Sequence, residues 1–203
     1  IQDAMSRLCA FQVNPLIEIL DKSNGKIAKN TVSDPVLYLD RLAAVFRYVV
    51  PSVPQGADHP CQRVIMEVWP LLSRVCDRYQ ADVRIIERCC RTLRFAVRCV
   101  RTQSAPLLEP MVKQMVSLYQ VHPHSCFLYL GSILVDEYAH LPGCVPGLLS
   151  MVEAFLPPTF ILLQEANGLK NHPDTVDDFF RLNARFLQRA AVPFLQTTFI
   201  KSV

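Results

Sequence analysis

The chain has 203 residues, 51% of them hydrophobic and 19% charged, with a net charge of +3. This composition excludes a disordered chain, because it supplies enough apolar side chain for a core. So small a net charge also argues against a surface built to coat nucleic acid.

Apolar residues spaced three and four apart predict amphipathic helices along nearly the whole sequence. In chain order they cover residues 3–20, 35–49, 60–79, 82–101, 106–120, 125–140, 145–154, 157–166, 173–189 and 192–201. Asp34 and Asp82 are expected N-caps, and Pro35, Pro60, Pro106 and Pro173 mark helix starts, where the missing N–H costs nothing. Asn24-Gly25, Gln55-Gly56 and Asn167-Gly168 mark loops. The longest loop, residues 21–33, is polar and is expected to be mobile. No alternating strand pattern with hairpin turns is present.

Helices joined by short links, pairing at a period near 40 residues, predict an all-α fold of the α-solenoid kind, built from HEAT-type helical hairpins. No secretory signal opens the sequence. The longest apolar run, residues 126–135, holds about ten residues, and a membrane-spanning helix needs roughly twenty. The chain starts at Ile1 and stops mid-pattern at Phe199-Ile200-Lys201-Ser202-Val203, so it reads as a piece of something longer. The eight cysteines, Cys9, Cys61, Cys76, Cys89, Cys90, Cys99, Cys126 and Cys144, mostly fall at apolar positions. They read as reduced core residues of a cytosolic or nuclear protein.

The most informative segment is DVRIIERCCRTLRFAVRCVR, residues 82–101. Arg84, Arg88, Arg91, Arg94, Arg98 and Arg101 follow one another at intervals of four, three, three, four and three. At about 100° per residue they fill one arc of roughly 140°. Ile85, Ile86, Cys89, Cys90, Leu93, Ala96, Val97 and Val100 fill the opposite arc. Six arginines and two acids, Asp82 and Glu87, give this segment +4, so the rest of the chain nets −1. An ordinary solvated face would mix signs, because like charges four apart cost a few tenths of a kcal/mol. Every cation is arginine, whose planar fork grips carboxylate or phosphate bidentately.

The strip spans about 25 Å, which an extended peptide of about eight residues covers. An Arg-Ser repeat is repelled, whereas phosphorylation adds about −2 per serine and reverses its sign. Glu87 is expected to neutralise the N-terminal half in part, which shifts the grip toward Arg91, Arg94, Arg98 and Arg101. Phe95, inside the arginine arc, either stacks on an arginine of the peptide or packs on a neighbouring helix.

The runs DPVLYLDRLAAVFR, HPCQRVIMEVWPLLS, ERCCRTLRFAVRCV, HSCFLYLGSILVDEY and NGLKNHPDTVDDFFRL resemble the transportin-SR (transportin-3) group of the importin-β superfamily of nuclear import receptors. Importin-13 is the nearest alternative of similar architecture. The resemblance implies a superhelix of HEAT repeats, of which residues 1–203 form one central to C-terminal segment of about five repeats. It implies a receptor that shuttles between cytoplasm and nucleus and carries splicing factors through their phosphorylated serine/arginine-rich (RS) domains. Cargo contact then falls to Arg88, Arg91, Arg94 and Arg98, with Arg84 and Arg101 as flanks. Ran-GTP, which releases cargo, is implied to act mainly through repeats outside this segment, and nucleoporins bind the full receptor. No membrane, direct nucleic-acid partner or cofactor is expected.

Other constellations are read blandly. His122-x-His124-x-Cys126 straddles a turn at Pro123 and has no second ligand pair, so no metal is expected there. His59-Pro-Cys61 reads as a helix start, Cys89-Cys90 and Trp69 as core, and Asp174, Asp177 and Asp178 as acids favoured by a helix dipole. No P-loop, GxSxG, HExxH or dinucleotide fingerprint occurs, so catalysis is not expected. The same strip in an RNA-binding solenoid, or paired internally in a structural scaffold, stands as the alternative.

Overall fold

A computed structural model describes residues 2–22, 29–54 and 56–202, without the side chains of Lys201 and Ser202. Asn24-Gly25, the middle of the expected mobile loop, and Gln55 of the expected Gln55-Gly56 loop lie outside the described residues, as do Ile1 and Val203. The described residues are helical with short turns and contain no strand, as expected. Packing divides the chain into two compact units, Ile1–Leu107 and Leu108–Val203.

The first unit contains α1 (Gln2–Lys22), α2 (Pro35–Tyr48), α3 (Gln62–Arg78), α4 (Val83–Val100) and a 3-10 turn, Arg101–Leu107. Each helix packs on its neighbour and on the next but one: α1 on α2 and α3, α4 on α3 and, most extensively, on α2. This two-layer ladder of hairpins is the packing of an α-solenoid. Asp34 and Asp82 cap α2 and α4 as the sequence indicates. Trp69, expected in the core, is only half-buried.

The second unit holds α5 (Leu108–Val121), α6 (Ser125–Tyr138), α7 (Val145–Gln164), the single turn α8 (Gly168–Asn171), α9 (Pro173–Arg189) and α10 (Ala191–Leu195). Here α5 packs on α7 and α6 packs on α9. Three elements differ from the sequence reading, one being the helix expected at 192–201, which is the short α10 followed by a 3-10 turn, Thr198–Ser202. The helix expected to open at Pro106 begins at Leu108, because residues 101–107 tighten into a 3-10 turn around the proline.

The helices expected at 145–154 and 157–166 are one, α7, which runs through Pro157 and Pro158. Its buried positions Leu148, Met151, Val152, Phe155, Leu156 and Thr159 form an unbroken stripe at helical spacing. Burial of that stripe offsets the two lost backbone donors. Tyr119 of α5 fastens it, with its ring 4.7 Å from that of Phe155 and its hydroxyl 2.8 Å from that of Thr159. The continuous helix also supersedes residues 126–135 as the longest apolar element. Within residues 142–164 an 18-residue window has a mean hydropathy of 1.5, so by length and composition alone the segment is long and apolar enough to cross a membrane.

α7 ends where Asn167 turns left-handed (φ 61°) and Gly168 comes against the helix terminus. A Cβ on Gly168 would sit 2.5 Å from the Leu163 carbonyl oxygen and 2.6 Å from that of Leu162. Backbone cannot yield there, so Gly168→Ala is expected to destabilise by about 2 kcal/mol or more, read as a lower urea midpoint. Asp178 on α9 makes a second prediction. Burial, with Asp177 and Asp174 beside it, outweighs Arg181 and Ser125 and pushes its carboxyl up to about 6. The folded state therefore holds a proton that the unfolded state gives up, and this group favours folding more as pH falls from 7 toward 4. Asp178→Asn is expected to raise the melting temperature at pH 8, by an effect on the order of 1–2 kcal/mol. The gain should shrink as pH falls below about 6 and be gone near pH 4.

Candidate functional site

The arginine-bearing helix is α4. Asp82 opens it by accepting from the backbone N–H groups of Arg84 (3.1 Å) and Ile85 (3.4 Å). The expected apolar arc is buried throughout, from Ile85 to Val100. Each fully buried Ile or Leu contributes roughly 1.5–3 kcal/mol, which fixes the helix's rotation. Thr92, wholly buried, adds a polar pin: its hydroxyl lies 2.8 Å from the Arg88 carbonyl and 3.0 Å from the Leu39 carbonyl of α2.

With that face held down, the arginines fall along the α2 side and differ in their surroundings. Arg84 Nη1 donates to Asp34 Oδ2 at 2.7 Å, and the Asp34 carboxylate is nearly inaccessible. Asp34 also accepts from the N–H groups of Asn30 (2.9 Å) and Val36 (3.1 Å). Burial alone would raise its pKa, but those two bonds together with the Arg84 guanidinium outweigh it and hold the carboxyl below its usual range. Arg88 Nε (3.2 Å) and Arg91 Nη1 (3.3 Å) converge on one oxygen of Asp40, a half-exposed carboxylate of α2. The expectation that Glu87 neutralises this half is therefore corrected, since the ion pairs run to Asp34 and Asp40, about fifty residues away in sequence, with Asp82 a looser local partner of Arg84 at 3.7 Å.

The C-terminal half is different. The Arg94 guanidinium lies 4.4 Å from the ring centre of Phe95, and Arg47 of α2 lies 5.3 Å from the same ring and 5.1 Å from that of Tyr48. Phe95 thus stacks on arginines of its own chain. Arg98 is exposed. Arg101, expected in the last turn of the helix, lies beyond it as the C-cap, with φ 50° and ψ −129°. That conformation suits glycine and costs other residues on the order of 1–3 kcal/mol.

Beside these residues the C-terminal ends of α2 and α4 enclose a cleft of about 590 Å³. Arg47, Arg98 and Arg101 line it with Phe95, and none of the described residues lining it is acidic. Gln103 braces its far wall, donating to the Ala57 carbonyl (3.1 Å) and accepting from the His59 N–H (2.6 Å). Sequence reading missed Arg47 because it lies on another helix, next to no other cation.

His59, Cys61 and Cys99 also meet here, with ligand atoms within 4.8 Å of one another. The His59 Nδ1 lone pair is already taken by the Cys61 N–H at 3.1 Å. Burial, reinforced by the neighbouring thiols, pushes Cys99 up to about 12, and burial raises Cys61 as well. Thiols whose pKa values are raised in this way are a poor donor set for a metal, which takes thiolates.

Comparison with known proteins places this helix in a family. The family described as the transportin-3/importin-13 fourth TPR domain matches residues 59–163, just over half of the chain and all of α4. The chain belongs to the transportin-3/importin-13 family. TPR and HEAT units alike are helical hairpins that stack on their neighbours, in keeping with the ladder seen in each unit. Transportin MOS14 of Arabidopsis thaliana is 28% identical over 188 residues, covering 91% of this chain and 18% of its own length. Human importin-13 is 29% identical over 143 residues, covering 70% of this chain and 14% of its own. The chain thus spans less than a fifth of the length of these relatives.

The buried Arg84–Asp34 pair generates a test of this part of the family fold. Asp34→Ala removes an N-cap, worth about 1 kcal/mol, and leaves a guanidinium without its buried partner. A loss of about 3 kcal/mol is expected in urea unfolding at pH 7. The depressed pKa places Asp34's contribution above the unfolded-state value and removes it as pH falls through the folded one. Wild type and variant should therefore converge in acid.

Proposed function

We propose that this chain is a segment of a karyopherin-β nuclear import receptor, and that α4 binds the phosphorylated RS domains of splicing-factor cargo. In this reading the full receptor shuttles between cytoplasm and nucleus, passes nucleoporins, and gives up cargo to Ran-GTP bound mainly outside the segment. Membership of the transportin-3/importin-13 family supports the receptor class. The observation that carries the cargo class is the helix itself, whose buried arc leaves Arg84, Arg88, Arg91, Arg94 and Arg98 along one edge, with Arg101 at its end. A row of guanidinium forks about 25 Å long suits a chain bearing phosphates at alternate positions. An unphosphorylated Arg-Ser chain meets like charge there, so phosphorylation sets the sign of the interaction.

The relatives bear both transportin and importin-13 names at nearly equal identity, so the transportin-SR assignment rests on the arginine helix rather than on overall similarity. The internally paired scaffold reading has one observation in its favour, the ion pairs of Arg84, Arg88 and Arg91 with α2. Arg98 and Arg101, at the other end of the row, are exposed.

The test is a titration of the chain with a fluorescent octapeptide of alternating arginine and phosphoserine. Replacing Arg91, Arg94 and Arg98 together by alanine is expected to weaken binding at least a hundredfold while circular dichroism keeps its helical signal. Affinity unchanged in that triple variant would refute the reading.

A further inference from the structure

We propose that the cleft between the C-terminal ends of α2 and α4 is a phosphate-seating pocket, in which Arg47 of α2 joins Arg98 and Arg101 to hold one phosphoryl group of the bound chain. The proposal rests on the reading of α4 as a docking site for a phosphorylated peptide and names where along it the anchoring phosphate sits.

Four observations carry it. The first is charge. Arg47, Arg98 and Arg101 line the cleft, and no acid is among the described residues that line it. His59, on the cleft wall, has a pKa lowered by burial and stays neutral at pH 7, so the arginines supply the charge. The second is size. At about 590 Å³ the space lies within the range of formed ligand pockets and accepts a phosphoserine with its flanking backbone.

The third is preorganisation. Arg47 lies between Tyr48 and Phe95, with ring centres 5.1 and 5.3 Å from its guanidinium carbon, and Phe95 is also covered by Arg94. Contact with an aromatic ring restrains the guanidinium while leaving N–H groups to donate, which lowers the entropy lost on binding. Gln103 similarly fixes the opposite wall through Ala57 and His59. The fourth is strain. Arg101 holds φ 50° and ψ −129°, where glycine would be relaxed, and it does so on the lining of the cleft. A residue kept in a costly conformation at a charged cleft points to use of its side chain.

Arginine forks distinguish a phosphate from a carboxylate by its third acceptor oxygen and its second charge, which is gained above about pH 6. The test uses the 203-residue chain and three fluorescent octapeptides of alternating arginine with phosphoserine, glutamate or serine. A single-stranded RNA octamer serves as the rival ligand. Arg47→Gln is expected to weaken the phosphoserine peptide about tenfold and the glutamate peptide less than twofold. Arg101→Gly relieves the strained backbone, so it should raise the melting temperature while weakening phosphopeptide binding about fivefold. Wild-type affinity for the phosphopeptide should rise severalfold between pH 5.5 and 7.5.

If both variants bind the phosphopeptide within twofold of wild type while the Arg91/Arg94/Arg98 triple variant does not bind, the pocket is refuted and the docking helix survives. If the triple variant also binds normally, both fall. RNA binding as tight as phosphopeptide binding, and equally sensitive to Arg47→Gln, would overturn the assignment to a phosphorylated peptide.

Discussion

Two carboxylates on α2 decide what the arginines of α4 do. Asp34 is buried, caps its own helix and takes Arg84; Asp40 is half-exposed and is shared by Arg88 and Arg91. Past Asp40, α2 turns basic at Arg47, which lines one cleft with Arg98 and Arg101. One helix edge therefore changes from an interhelical clamp to a positively charged surface over a few turns. The hydrophobic arc fixes the rotation of α4, and Thr92 ties it to the α2 backbone at the point of change.

The physical contrast between the halves is one of exchangeability. Buried charge cannot lose its partner without a large penalty, so Arg84 and Asp34 are committed to each other. Exposed pairs are worth roughly 0–1 kcal/mol and give up a partner easily. Arg88 and Arg91, sharing one half-exposed carboxylate, fall between these limits. Toward the C-terminus the neighbours of Arg47 and Arg94 include aromatic rings, which restrain a guanidinium without neutralising it.

Much of this was legible in the sequence. Helical spacing gave α4 its buried arc, Asp34 and Asp82 announced their caps, and 173–189 coincides with α9 residue for residue. What was not legible depends on residues distant in the chain. Asp34 and Arg84 are fifty positions apart, and no local rule pairs them. Glu87, three and four residues from its candidate arginines, looked the better partner because helix-local pairs are the ones that a sequence displays. Pro157-Pro158 looked like a break because local propensity was weighed above the periodicity of Phe155, Leu156 and Thr159, and tertiary burial reversed that weighting. The departure of Arg101 from the helix had no signal in residue type, since glycine is the usual mark of such a position.

That last departure bears on how the charge is displayed. Had α4 continued through residue 101, Arg101 would lie at the far edge of the arginine arc, about 60° round from Arg98. The strained cap turns the chain into the 3-10 segment Arg101–Leu107, and Gln103 in that segment braces the loop from Ala57 to His59. The same backbone distortion thus closes one wall of the cleft and places a third arginine on it. Arg47, Arg98 and Arg101 place like charge on the lining of one cleft, and like charges held close together repel. An incoming dianion relieves that repulsion as it binds, so part of the gain is charge strain already present in the free protein. Phosphate, which brings two charges on one small group, draws on that reserve more fully than a carboxylate does.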